Sequence, residues 1–195
     1  MTETTPAATS DPELTSEHLS GAQCYLCETR DALLASTRDL SAEQWNFKPV
    51  PDRWSIGEIV EHIGLIERRI HGIIGRMGDA PQRSDEGPPE QMDELIVTEV
   101  PKRTAKFEAP EWVRPTNSQK DDRVLDHFIE GRKRTLELLS ASHLRGHVIP
   151  HPVLGPWDGY QWLLAAGAHC ARHTDQIREV KADPHFPQRM DERAS

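Results

Sequence analysis

The stretch WSIGEIVEHIGLIERRIHGIIGRMG, residues 54–78, combines a complete helix start signal with an apolar stripe along one face. Ser55 is a favourable N-cap residue, Glu58 three positions later can close a capping box, and Trp54 can pack on Ile59 as a hydrophobic staple. Isoleucine and valine then recur at helical spacing, at positions 56, 59, 60, 63, 66, 70, 73 and 74. We therefore predict an amphipathic helix that ends near Gly78.

The same start signal is repeated in WDGYQW, residues 157–162. Asp158 occupies the N-cap position, Gln161 the capping-box position, and Trp157 can pack on Trp162. The inward stripe of the helix that follows comprises Leu163, Ala166, His169, His173, Ile177 and Val180. This pattern predicts the last long helix of the chain.

Two further helices are predicted from periodicity. One opens at Asp11 and Pro12, because proline is favoured at the first helical position. Its stripe comprises Leu19, Ala22, Leu26, Thr29, Leu33 and Leu40. The other runs from about Ser118 to Leu139. Its stripe comprises Val124, Leu125, Phe128, Ile129, Arg132, Leu136 and Leu139.

The connection between the second and third helices is unusually long. Residues 79–117 show no clean periodicity, and the stretch APQRSDEGPPEQ at residues 80–91 is predicted to be a mobile loop. Such a length indicates a crossover rather than a short turn between antiparallel neighbours. We therefore predict an all-α four-helix bundle over residues 11–182, with a disordered N-terminus at residues 1–10 and a polar tail at residues 183–195.

The composition excludes several classes of function. The formal net charge of −9 disfavours a nucleic-acid surface or an anionic membrane surface, because both require a basic patch. No apolar run reaches the roughly 18 residues of a membrane span, and the N-terminus lacks the features of an export signal. The three cysteines fit a reducing compartment better than a disulfide scaffold. We expect a cytoplasmic protein without nucleic-acid or membrane partners.

Three histidines are predicted to face the core. His169 and His173 are one helical turn apart and can direct their imidazoles towards one point. His62 lies on the inward stripe of the second helix, so it points into the same bundle. Burying three imidazoles without partners is costly, and one divalent ion per chain would satisfy them all. Three histidines with an open fourth position are typical of catalytic Zn²⁺, while Ni²⁺ and Fe²⁺ are also compatible.

Five other residues are candidates for roles around such a site. Glu58 lies one turn before His62 and could act as a general base, although the capping box already explains it. His151 could approach the mouth of the site, and Gln176 could bond to a ligand or a bound water. Arg132, on the third stripe, and Trp162, at a helix entrance, are candidates for contact with the substrate, and Arg132 could extend to the rim of the bundle.

The chain resembles the DinB-like family of metal-binding four-helix bundles, also called the DinB/YfiT-type fold. The resemblance is carried by FKPVPDRWSIGEIVEHI, by APEWVRPT with HFIEGRKRTLELL, and by HPVLGPWDGYQWLLAAGAHCARHTDQI, and it covers about residues 14–182. It implies an up-down-down-up bundle that is often dimeric and holds Ni²⁺ or Zn²⁺ on three histidines. By motif position these are His62, His169 and His173.

Two classes of activity are implied by that resemblance. Some members resemble S-transferases that use low-molecular-weight thiols such as bacillithiol or mycothiol, and others are regarded as metal-dependent hydrolases. Both would act on a small-molecule substrate at the same metal. The alternatives are a non-catalytic stress-response binding module with a structural metal, and a helical scaffold whose histidines are satisfied by water and carboxylates. The sequence does not distinguish among them.

Overall fold

Six α-helices, three short 3₁₀ helices and one short hairpin make up the computed structural model, which describes residues 14–84, 88–104, 108–116 and 121–188. The helices are α1 (Ser16–Thr37), α2 (Ala42–Asn46), α3 (Ile56–Ile74), α4 (Pro89–Glu99), α5 (Asp121–Glu137) and α6 (Gly159–Lys181). Strands β1 (Ile149–His151) and β2 (Gly155–Trp157) pair antiparallel. The predicted helix start at Asp11 and Pro12, and the predicted start near Ser118, lie outside the described residues.

Helices α1 and α6 run parallel. The Tyr160 hydroxyl, at the start of α6, donates a hydrogen bond of 2.9 Å to the carbonyl of His18 at the start of α1. At the opposite end, the Lys181 ammonium donates one of 2.9 Å to the carbonyl of Ser36. The first and last long helices therefore point in the same direction.

Helices α3 and α5 run in the other direction. Arg53, just before α3, meets Glu179 near the end of α6 at 3.4 Å, so α3 is antiparallel to α6. The ends of α3 and α5 meet where His71 Nε2 lies 2.9 Å from Thr135 Oγ1, so these two are parallel. The long helices form an up-down-down-up bundle, which confirms the predicted fold class.

Both predicted helix start signals are confirmed. The Ser55 hydroxyl accepts from the Glu58 amide at 3.2 Å, and the Glu58 carboxylate accepts from the Ser55 amide at 2.8 Å. Asp158 and Gln161 make the same reciprocal pair at 2.9 and 3.0 Å. Each cap stabilises its helix by about 1 kcal/mol and fixes the residue at which the helix begins. Helix α3 ends at Ile74, four residues before the predicted end.

The crossover is more ordered than the sequence predicts. Residues 89–91, inside the predicted mobile loop, begin helix α4, and a short hairpin precedes α6. Ile96 is the one buried residue of α4, so the sequence of this helix has no apolar stripe from which it could be predicted. Its proline at the first position agrees with a helix start.

A charged network attaches α4 to the start of α6. The Arg145 guanidinium donates to both carboxylate oxygens of Asp93, at 3.1 and 2.5 Å, and to Asp158 at 2.7 Å. Gln161 donates to Asp93 at 3.0 Å and to the carbonyl of Pro89 at 3.2 Å. The network holds the first half of the crossover against the bundle.

Arg132 lies inside the bundle and not at its rim, so that prediction is wrong. Its guanidinium is fully buried and donates to Glu67 at 2.7 Å, to the Leu26 carbonyl at 2.6 Å and to the Ala166 carbonyl at 3.2 Å. One side chain of α5 therefore joins α3, α1 and α6. Ile129, which the stripe predicted to be covered, is 40% exposed.

None of the helices in the described part of the chain is long and apolar enough to cross a membrane. The three cysteines, Cys24, Cys27 and Cys170, are all unpaired.

Candidate metal site

Three imidazoles from two helices converge beside the core. The potential ligand atoms of His62, His169 and His173 all lie within 4.8 Å of one another. His62 Nε2 and His169 Nε2 are 3.2 Å apart. Two nitrogens bound to one tetrahedral Zn²⁺ at about 2.0 Å would be about 3.3 Å apart, so this spacing fits a shared ion. No other His, Cys, Asp or Glu of the described residues joins the group.

The ring of His62 is fixed by a backbone carbonyl. Its Nδ1 lies 2.7 Å from the carbonyl oxygen of Val113, which belongs to the crossover. A carbonyl oxygen only accepts, so neutral His62 carries its proton on Nδ1 and leaves the Nε2 lone pair available. A hydrogen bond of this kind at the far nitrogen accompanies most metal-bound histidines.

The ring of His173 is fixed by a side-chain amide. Its Nδ1 lies 2.8 Å from Oε1 of Gln176, one turn further along α6. The amide oxygen accepts the Nδ1 proton, so His173 also presents Nε2 as its ligand atom. The contact places the Gln176 amide against one of the three clustered imidazoles.

His169 has a different environment. Its Nδ1 is buried and, among the described residues, has no hydrogen-bond partner. The ring packs between its two neighbours, with centroids 4.9 Å from His62 and 4.3 Å from His173. The other ring nitrogen, Nε2, faces Nε2 of His62 at 3.2 Å, so it is the atom of His169 that is placed to bind an ion shared with His62.

Burial keeps all three imidazoles neutral, as metal ligands must be. It lowers the pKa of His62, an effect that the Val113 carbonyl partly offsets. Burial and then repulsion from the charged forms of its two neighbours lower the pKa of His169 well below the usual 6.5. Burial and repulsion from His62 lower the pKa of His173 to about 3.

An aromatic wall covers one side of the site. The ring of Trp54, the residue before the α3 cap, lies 4.7 Å from the His62 ring and 6.3 Å from the His173 ring, centroid to centroid. Trp54 packs on the core cluster that includes Ile59, as the predicted staple requires. Its indole therefore serves both the helix start and the wall of the site.

The rim of the site is positively charged. Arg103 donates to both oxygens of Glu179, at 2.7 and 3.1 Å, and Arg53 reaches the same carboxylate at 3.4 Å. Arg172, beside His173, donates to the backbone carbonyl of Lys102. Partial burial and the nearby charge of Arg103 lower the pKa of Arg172. Three guanidiniums around one carboxylate give this rim a net positive charge, whereas the whole chain has a formal net charge of −9.

The remaining predicted site residues lie elsewhere. One oxygen of Glu58 accepts from the Ser55 amide and the other accepts from Lys48 at 2.7 Å, which supports capping rather than catalysis. His151 stacks on Trp157 at 4.2 Å and lies 5.4 Å from Trp162, centroid to centroid. Trp162 precedes His169 by two turns, about 10 Å along the helix, so the structure does not bring His151 or Trp162 to the three-histidine cluster.

Sequence reasoning missed Val113 and Arg103 and assigned Trp54 to packing alone. Val113 acts through its backbone carbonyl, which any residue type would supply. Arg103 lies in a crossover without periodicity, so its position could not be assigned. Trp54 precedes His62 by eight residues, about 12 Å along a helix, so its position beside the His62 ring could not be predicted from spacing.

Comparisons with known proteins identify the family and a structure of the same fold. A sequence model of the DinB superfamily matches residues 25–177. The chain is 26% identical over 148 residues to the uncharacterized protein YuaE of Bacillus subtilis (strain 168), which covers 74% of this chain and 87% of YuaE. The structure of YfiT from Bacillus subtilis superposes with a TM-score of 0.54 at 15% identity, covering 90% of this chain and 94% of YfiT. YfiT is described as a probable metal-dependent hydrolase with an unusual four-helix bundle topology.

Proposed function

This chain belongs to the DinB superfamily, and on that premise we propose that it is a metal-dependent enzyme that acts on a small-molecule substrate. His62, His169 and His173 hold one divalent ion per chain, Zn²⁺ or Ni²⁺, with Fe²⁺ also compatible. The observation that supports this proposal most strongly is the pair of hydrogen bonds at Nδ1 of His62 and His173, which leaves both Nε2 lone pairs available for a metal. A core that merely tolerated histidines would not require this common tautomer.

The ligand set favours Lewis-acid chemistry. Three neutral imidazoles leave the full charge of a divalent ion uncompensated, and they leave a coordination position for a substrate or a water. When bound, the ion would lower the pKa of a water or a thiol at that position, to about 7 for water on zinc. Arg53, Arg103 and Arg172 would attract an anionic group to the rim. The Trp54 indole would keep bulk water from one side of the site.

Hydrolysis is the first reaction that we propose. It is supported by the common fold with YfiT, the probable metal-dependent hydrolase. Transfer of a low-molecular-weight thiol is the second candidate, because the positive rim would equally favour a thiolate. Neither reaction requires a change in the metal ligands.

A substrate screen tests the proposed function. Untagged protein, loaded separately with Zn²⁺, Ni²⁺ or Fe²⁺, is assayed with esters and amides, and with pairs of a thiol and an electrophile. We expect turnover that is lost in His62→Ala and retained in His127→Ala, a substitution at an exposed position of α5. Thiol-independent product identifies a hydrolase, and thiol-dependent conjugation identifies a transferase.

The non-catalytic alternative predicts a different result. A structural ion would leave slowly in the presence of a chelator, its loss would lower the melting temperature, and no thiol or small acid would change the absorption spectrum of a Co²⁺-substituted sample. That combination, with no turnover in the screen, would contradict the proposed enzyme.

We also propose a cytoplasmic homodimer. The three unpaired cysteines are compatible with a reducing compartment. Light scattering on the purified protein tests the dimer, since a mass near the 22.1 kDa of one chain would contradict it.

A further inference from the structure

We propose that Arg103, on the crossover after α4, is a positioning residue for the metal site. It orients the side-chain amide of Gln176 and thereby sets the tautomer of His173. The inference deepens the proposed function and rests on it, because the consequence of the tautomer is metal affinity.

Three side chains form a chain of contacts that ends at the metal position. Arg103 Nη1 donates a hydrogen bond of 3.3 Å to Oε1 of Gln176. The same oxygen lies 2.8 Å from Nδ1 of His173. Gln176 and His173 are both buried, so water does not readily replace either partner.

Arg103 is itself held in one orientation. Its Nε and Nη2 bind the two carboxylate oxygens of Glu179, at 2.7 and 3.1 Å. A two-point contact of this kind fixes the plane of the guanidinium. With Nε and Nη2 engaged, Nη1 is directed at Gln176. Residues 103, 176 and 179 thus connect the crossover to the last turns of α6.

Hydrogen-bond chemistry makes the orientation of Gln176 decisive. A primary amide offers an acceptor on one side and a donor on the other, and rotation by a half-turn exchanges them. A guanidinium only donates, so Arg103 requires the amide oxygen to face it. That oxygen then accepts the Nδ1 proton of His173, and Nε2 is left with the lone pair that a metal needs.

Loss of Arg103 would remove this requirement. The amide could then rotate and donate its N–H to Nδ1 of His173, which moves the ring proton to Nε2. Metal binding in that state would require the proton to leave and the amide to rotate back. We therefore expect Arg103→Met to weaken metal binding by about 10- to 100-fold, the range found for residues that support metal-bound histidines.

The first test uses metal-free protein and does not depend on the proposed function. Long-range ¹H–¹⁵N NMR reports which ring nitrogen of His173 carries the proton at neutral pH. We expect the Nδ1–H tautomer in the native protein and a substantial Nε2–H population in Arg103→Met. Lys102→Met is the matched control, because that neighbouring cation pairs with Glu99 and not with the site. An Nε2–H tautomer in the native protein, or an unchanged tautomer in Arg103→Met, would overturn the inference.

The second test separates orientation from simple tethering of the crossover. A carboxylate at position 176 has no hydrogen-bond donor. It therefore accepts the hydrogen bond from Nδ1 of His173 in either orientation, without help from an arginine. Zn²⁺ affinity is measured by competition with a chromophoric chelator. It should be lower in Arg103→Met than in the native protein. In the Gln176→Glu background, the addition of Arg103→Met should change the affinity much less. Equal losses in the two backgrounds would mean that Arg103 only anchors the crossover, and would refute its role in orientation.

The two measurements distinguish the possible failures. Native protein that binds no metal would contradict the proposed function, while the tautomer measurement would still decide the role of Arg103. Native protein that binds metal, with an affinity unchanged in Arg103→Met, would contradict this inference alone.

Discussion

At the scale of single residues, the site is a set of imidazoles that the fold forces to remain neutral. Burial lowers the pKa of His62, His169 and His173, and repulsion from neighbouring imidazoles lowers the pKa of His169 and His173 further. In the unfolded chain each pKa returns to about 6.5. The unfolded state therefore binds more protons than the folded state whenever the pH lies between the two values.

This difference predicts an acid-sensitive metal-free protein. Stability rises with pH wherever the unfolded state binds more protons, so the contribution of these groups is fully present above about pH 6.5 and falls on acidification. For His173 the loss continues until its folded pKa of about 3. Urea unfolding between pH 7.5 and 5 should show decreasing stability, with a shallower slope in His173→Asn. An identical slope in the variant would contradict this assignment.

At the scale of elements, one buried ion pair joins the four long helices. Arg132 of α5 binds Glu67 of α3 and the backbone of α1 and α6, with no exposure to solvent. Glu67 also accepts a hydrogen bond from Thr135. Arg132 is 0% exposed and Glu67 1% exposed, so neither charge has access to water.

Breaking this pair should strongly destabilise the bundle. Arg132→Met leaves the Glu67 carboxylate buried without its counter-ion, so we expect a loss of about 3–5 kcal/mol in the free energy of unfolding. The matched control is Arg134→Met on the exposed face of α5, which should change stability by less than about 0.5 kcal/mol. Chemical denaturation measures both, and similar small effects would show that the buried pair is not a main support of the fold.

The crossover depends on a second polar cluster. Asp93→Asn removes the acid that binds Arg145 at two points, while Asp158 remains as a partner. We expect the free energy that holds α4 against the bundle to fall by about 1–3 kcal/mol, because the Arg145 guanidinium stays buried with fewer hydrogen-bond partners.

The effect should be confined to α4. Hydrogen exchange should accelerate in residues 89–99 more than in α3, and Glu94→Gln, at an exposed position of the same helix, serves as the control. Unchanged protection of α4 in Asp93→Asn would contradict the role of this cluster.

At the scale of the whole molecule, local signals specified the helices, and long-range contacts completed the site. The capping boxes at Ser55 and Asp158 lie within four residues of sequence, so α3 and α6 were predictable, and with them the three histidines on their inward faces. Helix α4 was not, because it rests on polar contacts with distant residues. The roles of Val113 and Arg103 were not predictable for the same reason, because they depend on where the crossover contacts α3 and α6.

The central claim is that three imidazoles from α3 and α6 hold one divalent ion. Metal analysis of untagged protein, exposed to Zn²⁺, Ni²⁺ and Fe²⁺ and then desalted, tests it most directly. We expect about one ion per chain in the native protein and in His127→Ala, and a loss of at least about 90% in a folded His169→Ala variant. A folded native protein that retains no metal, or a His169→Ala variant that retains as much as the native protein, would contradict the claim.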